Sequence, residues 1–370
     1  MKTFKILVVL NDLDIGGAQN YTISLVNEFI KLGNRVQLIV LSENLLLKDR
    51  LSDKINLLVL PRKFIVDYAV LRKIRDIIKN GGYDGIISSY PIYLRLATLF
   101  LRQKLVLIYP LHSTIEKTRK SRIINYITFK LKSRREIFLT SIENQTIYLL
   151  KAYRLNVGYF TQIYNGIDTE KFIPAPNNFN KALFLKERGI NPEHKIILMV
   201  AGYRTEKRHT DAFDALNLLH INDINTTLVC VGDNRKKEKD DLQNYINKKG
   251  IPNIKLLSSS EVNDVLPFYW SADIFTLTSN KVETFPISVL EALACGLPCV
   301  LTDTGGASNI IISSLFGVVV PIENPAAIAN AWKFYLKENF SSDKMLIRNH
   351  VIANYSIRNS ALQYLDLLKK

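Results

Sequence analysis

The sequence predicts two successive α/β domains, each a doubly wound parallel sheet covered by helices. A chain of 370 residues is long enough for two domains of ordinary size. Short apolar runs alternate with amphipathic helical stretches, the pattern of βαβ units. That pattern stops at YNGIDTEKFIPAPNNFNK, an aperiodic stretch rich in Asn and Pro, and then restarts.

In the first half, strands are expected at KILVVL, VQLIVL, INLLVL, DGIISS, KLVLIYP and EIFLT, with helices between them such as 17–32 and 68–79. In the second half they recur at KIILMVAG, TTLVCVG, NIKLLS, DIFTLTS and LPCVLTD, with helices at 208–219, 236–248, 262–270 and 287–294. The expected domains are 1–168 and 169–345, with a terminal helix at 346–370 returning to the first. In sheets of this kind, ligands bind at the carboxyl ends of the strands, where loops meet helix N-termini. A cleft between the two halves is the expected place for a substrate.

Composition narrows the function classes. With 47% hydrophobic and 22% charged residues, the chain can bury two cores, which excludes a disordered protein. Three cysteines, Cys230, Cys295 and Cys299, do not make a disulfide framework. Cys295 and Cys299 sit in an apolar run with no second Cys/His pair nearby, so they read as buried small residues rather than zinc ligands. The opening MKTFKILVVLNDLD turns polar too soon for a leader and reads as a buried strand. No apolar stretch reaches the roughly 20 residues a membrane span needs. A formal charge of +15 calls for an anionic partner: nucleic acid, anionic lipid or a phosphorylated substrate.

Two segments carry the chemistry. After the first strand, Gly16 and Gly17 open a helix, so backbone amides and the helix's positive end can approach a phosphate. The DLD of Asp12–Asp14 sits on the wrong element for a metal-binding pair. In the second half, SNKVETFPISVLEALACGLPCVLTDTGG places Glu283 just before a helix beginning near Pro286, and Glu291 on that helix. A carboxylate there can accept from vicinal sugar hydroxyls.

This E-x7-E, followed by A-x-G-x-P and D-x-G-G, resembles the retaining GT-B enzymes of glycosyltransferase family 4. GGAQ, LIYPLHST, YNGIDTEKF, VAGYRTEKRH and VCVGD stand in the family's order, so the resemblance covers most of the chain. It implies a GT-B fold, two Rossmann-like domains facing a cleft, and transfer of a sugar from a nucleotide-diphosphate donor with retained anomeric configuration. It implies further that Glu283 holds donor-sugar hydroxyls, Glu291 the ribose hydroxyls and Lys207 the diphosphate. Gly16 and Gly17 would lie near the phosphates, His112 would face the transferred sugar, and amides around Thr284 and Phe285 would meet the distal phosphate. No metal or cofactor is expected; the nucleotide sugar is the substrate, UDP-linked in preference to GDP-linked. Fixed cations and helix N-termini would stabilise the departing diphosphate.

The chain departs from the family at three positions. The usual Arg five residues before the Lys is Gly202, with Arg204 in a position to take its role. Pro286 replaces a Gly and removes an amide donor, and after TDTGG a usual carboxylate is missing from ASNII.

Residues 117–135 carry Lys117, Arg119, Lys120, Arg122, Lys130, Lys132, Arg134 and Arg135 with no acid among them, interleaved with Ile123, Ile124, Tyr126, Ile127, Phe129 and Leu131. Such a segment suits the headgroups of an anionic membrane; the alternative is a surface helix packed on its own domain. The expectation is a cytoplasmic enzyme, peripheral on the inner face of the membrane, with a polyprenyl-diphosphate-linked acceptor in surface polysaccharide synthesis. A soluble small-molecule acceptor is the enzymatic alternative. A nucleic-acid-binding protein is the alternative from another class, though no motif for nucleic acid is present.

Overall fold

The computed structural model describes residues 2–14, 16–64, 66–89, 91–98, 101, 105–110, 126, 136–140, 147, 151, 160–221, 225–233, 235–262, 264–280, 285–337 and 343–369. By its internal packing the chain divides into two units, Met1–Gly166 with Ile357–Lys370, and Ile167–Ser356.

In the first unit, the apolar runs are buried parallel strands. They are β1 (Lys5–Leu10), followed by α1 (Gly17–Lys31), β2 (Arg35–Val40), β3 (Asn56–Val59), α2 (Tyr68–Gly81), β4 (Gly85–Ser88), α3 (Pro91–Thr98), β5 (Val106–Pro110), β6 (Glu136–Thr140) and β7 (Phe160–Gln162). Strand order is β3-β2-β1-β4-β5-β6-β7, and every pairing is parallel. Runs such as KILVVL show no alternation because helices cover both faces of such a sheet. Local signals set the helix ends. Asp67 caps α2 by accepting from the amides of Ala69 and Val70, and Gly82 ends it in the left-handed region at φ 60°. Amide donors from Lys63, Val70 and Ala69 hold the Asp67 carboxyl below the usual range.

An ion pair is buried within this unit. Arg95 on α3 donates from Nε and Nη2 to the two carboxylate oxygens of Glu136 on β6, at 3.0 and 2.7 Å. The guanidinium also lies 5.5 Å from the Tyr109 ring and 5.3 Å from that of Phe138.

The second unit repeats the design. It contains α4 (Lys181–Lys186), β8 (Lys195–Val200), α5 (His209–His220), β9 (Thr226–Gly232), α6 (Lys236–Lys249), β10 (Ile254–Ser258), α7 (Leu266–Ser271), β11 (Ile274–Leu277), α8 (Ile287–Ala294), β12 (Cys299–Thr302), α9 (Ala307–Ile310), β13 (Gly317–Val320), α10 (Pro325–Tyr335) and α11 (Lys344–Tyr355). Its sheet runs β10-β9-β8-β11-β12-β13, again all parallel. Fully buried Trp332 on α10 donates from Nε1 to Thr276 Oγ1 at 3.2 Å. Arg348 on α11 donates to the carbonyls of Thr169, Phe172 and Ala294, so one side chain joins the linker to the end of α8. Cys230, Cys295 and Cys299 are free and buried.

The segment 346–370 holds two helices. Most of it after Tyr355 is α12 (Ile357–Lys369), which belongs to the first unit, whereas α11 belongs to the second. Helix α12 lies along α1, and a Cβ at Gly85 would come within 2.3 Å of Leu368 Cδ2. Glycine at that strand position lets the helix close on the sheet.

Two short strands lay outside the expected set. β7 is three residues long, and β13, GVVV, is too brief for periodicity to separate it from loop. The helix expected at 262–270 starts instead at Leu266, with Pro267 in its first turn. Among the described residues no helix is long and apolar enough to cross a membrane.

Replacing Arg95 by Ala strands Glu136 in the core and is expected to cost about 3–5 kcal/mol. Arg95→Met with Glu136→Leu is expected to recover much of that loss, because no lone charge remains buried. Urea unfolding of the three variants checks this; a double variant as unstable as Arg95→Ala contradicts it.

Candidate active site

In the second unit, β8 lies between β9 and β11, and the chain leaves these neighbours in opposite directions. From β8 it passes through α5 to β9, and from β11 through α8 to β12. Right-handed crossovers put those helices on opposite faces, so a crevice opens between the two loops.

The loop after β8 is pinned from below. Tyr203 is fully buried, and its hydroxyl donates between the carbonyls of Cys230 and Leu257 at 3.0 and 2.7 Å. The chain then forms one 3-10 turn at Thr205–Lys207 and enters α5 through Arg208, at φ 51°. Two residues from the end of β11 hold this turn. The Thr278 hydroxyl is shared between the carbonyls of Lys207 and Arg208 at 3.1 and 3.0 Å, and the Asn280 amide donates to Glu206 O at 2.9 Å. The loop after β8 is therefore tied to the chain leaving β11.

Of the basic residues here, Arg208 is committed to Asp211, with Nε and Nη2 at 3.0 and 2.9 Å from its carboxylate oxygens. Arg204 is held differently. Its Nε is buried without a hydrogen-bond partner and lies 3.7 Å from Asp233 Oδ2. Asp233 itself accepts from Tyr203 N at 3.1 Å and Arg235 Nε at 3.0 Å. Gly202 lies against this group: a Cβ there would sit 2.9 Å from Asp233 Oδ2 and 3.4 Å from Arg204 Nε. The space beside residue 202 is thus already occupied by Asp233 and Arg204.

On the other side of the crevice, Phe285 is buried edge-on against Tyr355, and Pro286 precedes the first residue of α8. The Phe285 ring thus packs inward, away from the loop surface. Glu291 stands half-buried on α8, and its Oε2 accepts from the Tyr269 hydroxyl at 2.7 Å. Burial and the charge of Glu291 push the Cys295 thiol, one turn further on, well above its usual range. Where the family places a carboxylate after TDTGG, α9 begins, and its Asn309 carbonyl accepts from Tyr355 Oη at 2.9 Å.

In the first unit, Gly16 precedes the first turn of α1, and Gly17 opens it. A Cβ at Gly16 would come within 2.5 Å of Gln19 Oε1. Gln19 Nε2 and Asn11 Nδ2 both donate to the Asp12 carboxylate, at 2.8 and 2.7 Å, and Arg62 Nη2 donates to Asn11 Oδ1 at 2.6 Å. Asp12 therefore serves as the acceptor that organises this loop.

The structure brings Arg204, Lys207, Phe285 and Glu291 to the loops and helix around one strand-order reversal of the second unit, and Gly16 and Gly17 to the corresponding loop of the first. His112, Glu283 and Thr284 lie outside the described residues, as does the basic stretch 117–135 apart from Tyr126. Sequence reasoning missed Asp233, Thr278 and Tyr269. Asp233 stood in the VCVGD landmark; Tyr269, in the apolar run LPFYWS, carried no signal. Among the described residues no group of three or more His, Cys, Asp or Glu is arranged to hold a metal ion.

Two Rossmann-like units with this strand order define the GT-B class of fold. The family model described as Glycosyltransferase Family 4 matches residues 15–171, and that described as Glycosyl transferases group 1 matches 180–351. The chain belongs to the GT-B glycosyltransferases built from this pair of domains. Among curated proteins it is 24% identical over 272 residues to the N-acetyl-alpha-D-glucosaminyl L-malate synthase of Bacillus anthracis, covering 71% of this chain and 68% of that protein. It is 27% identical over 173 residues to the UDP-Gal:alpha-D-GlcNAc-diphosphoundecaprenol alpha-1,3-galactosyltransferase of Escherichia coli, covering 45% of this chain and only 42% of that protein. Among solved structures, Anabaena HepE in complex with UDP and glucose superposes with a TM-score of 0.84 at 18% identity, covering 99% of this chain and 100% of that one. A glycosyltransferase from Rickettsia africae ESF-5 does so at 0.82 and 19%, covering 100% and 98%. At these identities the likeness is one of fold.

His209, the first residue of α5, adds a pH dependence to this region. Its ring is buried beside Tyr203 and Phe213, and burial together with nearby Lys207 pulls its pKa from 6.5 down to about 3. Below about pH 6.5 the unfolded chain takes up a proton that the folded chain refuses. The contribution from His209 is therefore lost as pH falls from 6.5 towards 3, and is constant above 6.5. His209→Phe is expected to remove this dependence, about 1.4 kcal/mol per pH unit, from denaturation midpoints measured between about pH 5.5 and 4. Parallel pH profiles for the two proteins would contradict the assignment.

Proposed function

We propose that this chain is a retaining glycosyltransferase that takes a sugar from a nucleotide-diphosphate donor, UDP-linked in preference to GDP-linked, and needs no metal. The observation that carries this reading is the tied pair of loops at the β8/β11 reversal, with Arg204 and Lys207 on one and the start of α8 on the other. As the sugar–phosphate bond breaks, negative charge grows on the diphosphate oxygens. Fixed cations and the start of a helix lower the energy of that state without having to reorganise. Lys207 acts as a point charge on the diphosphate. Arg204 supplies the guanidinium that Gly202 lacks, aligned by Asp233. Glu283 orients the sugar hydroxyls, Glu291 the ribose, and backbone amides at Thr284 and Phe285 meet the distal phosphate. Gly16 and Gly17 bring backbone near the phosphates and His112 faces the transferred sugar; the first unit, which holds these three, also receives the acceptor, while the main donor contacts belong to the second. The acceptor hydroxyl attacks the face from which the diphosphate leaves, so configuration is retained.

For the acceptor we favour a polyprenyl-diphosphate-linked oligosaccharide of surface polysaccharide synthesis, met at the inner face of the cytoplasmic membrane. Support comes from the basic stretch 117–135 and from a relative whose name specifies a diphosphoundecaprenol-linked acceptor. The malate synthase relative favours a second reading, a soluble acceptor.

The double variant Arg204→Ala, Lys207→Ala is expected to lose about a hundredfold or more in kcat while its melting temperature stays within a few degrees. Turnover within a few-fold of wild type would remove both residues from the mechanism. For the acceptor, reversing Lys130, Lys132, Arg134 and Arg135 to Glu is expected to release the protein from anionic vesicles while leaving UDP affinity unchanged. Wild type that stays in the supernatant even at low salt decides for the soluble acceptor.

A further inference from the structure

Glu291 does not stand alone on α8. The Tyr269 hydroxyl, from α7, donates to its Oε2 at 2.7 Å and lies 3.4 Å from the Ser288 carbonyl one turn earlier on α8. Tyr269 is fully buried, and its ring is fixed on two sides. Phe275 of β11 stacks on it at 6.0 Å, and Phe172 meets it edge-on at 5.9 Å.

Phe172 is itself placed by the linker. Asp168 Oδ1 accepts from the amides of Glu170 and Lys171 at 3.0 and 3.1 Å, and Asp168 O accepts from Phe172 N at 3.0 Å. Arg348 Nη1 then donates to the Phe172 carbonyl. A chain of contacts thus runs from the Asp168 turn through Phe172 and Tyr269 to a carboxylate.

A half-buried glutamate on three rotatable bonds can turn its carboxyl plane, and a vicinal diol binds well in only a narrow range of planes. A phenol held rigidly by packing has one hydroxyl to aim, and a charge-assisted hydrogen bond of ordinary length fixes the oxygen that receives it. We propose that Tyr269 is a positioning residue for nucleotide recognition: it sets the plane of the Glu291 carboxylate, so that the site distinguishes a ribose from a sugar lacking the 2′ and 3′ hydroxyls. This rests on the assignment of Glu291 to the ribose, and it gives the Asp168–Phe172 turn a part in nucleotide selectivity.

The test compares the dissociation constants of UDP and 2′,3′-dideoxyuridine diphosphate by calorimetry, on the full chain. Tyr269→Phe is expected to cut the preference for UDP by about fivefold to tenfold, one hydrogen bond's worth. Its affinity for the dideoxy nucleotide is expected to stay within twofold of wild type. Tyr269→Met, equally without a hydroxyl and able to fill an irregular space, serves if the Phe variant does not fold. Equal weakening of both nucleotides would mean a packing role only and overturns the proposal, as does an unchanged preference. Glu291→Gln runs alongside: if it keeps the preference for UDP, the ribose assignment itself fails. If it loses the preference while Tyr269→Phe keeps it, only the positioning role fails.

Discussion

Two hydrogen-bonding groups at the end of β11, the Thr278 hydroxyl and the Asn280 amide, hold the carbonyls of Glu206, Lys207 and Arg208, and the second unit's crevice depends on them. Loops at a strand-order reversal diverge, and nothing in a parallel sheet itself keeps them in register with each other. Backbone carbonyls left bare at the end of a 3-10 turn need donors. Supplying those donors from the neighbouring strand satisfies them and also ties the Arg204–Lys207 turn to the chain leaving β11.

Around this frame, charge is placed by exclusion as much as by attraction. Arg208 is withdrawn from the crevice by Asp211, and Arg235 shares Asp233 with the backbone of Tyr203. Arg204 lies at the longer distance of 3.7 Å from that carboxylate, with Nε unsatisfied. Glycine at 202 is part of the same arrangement, since a side chain there would meet Asp233 and Arg204.

Much of this fold was legible because buried parallel strands are short, apolar and β-branched, and amphipathic helices separate them. The Asn- and Pro-rich linker marked the point where the pattern restarts. Arg204 and Lys207 could be placed together because they are neighbours in sequence on a strand-to-helix turn, and Glu291 because helical spacing follows from its distance to Pro286. Their partners were not legible. Asp233 reaches Arg204 across a strand pair, and Tyr269 reaches Glu291 from a six-residue helix whose apolar run says only that it is buried. Such contacts are fixed by tertiary packing, and neither periodicity nor spacing carries them. Arg208 shows the converse. In sequence it stood beside Arg204 and Lys207 without an assigned role, and its pairing with Asp211 shows what occupies it.

Everything proposed for the second unit requires that it bind a nucleoside diphosphate at the β8/β11 reversal. Hydrogen–deuterium exchange of the full chain with and without UDP tests it most directly. Binding there is expected to slow exchange in peptides covering 201–208, 278–280 and 285–291, with little change at β10 or α10. Protection confined to other parts of the chain, or none at saturating UDP, would contradict it.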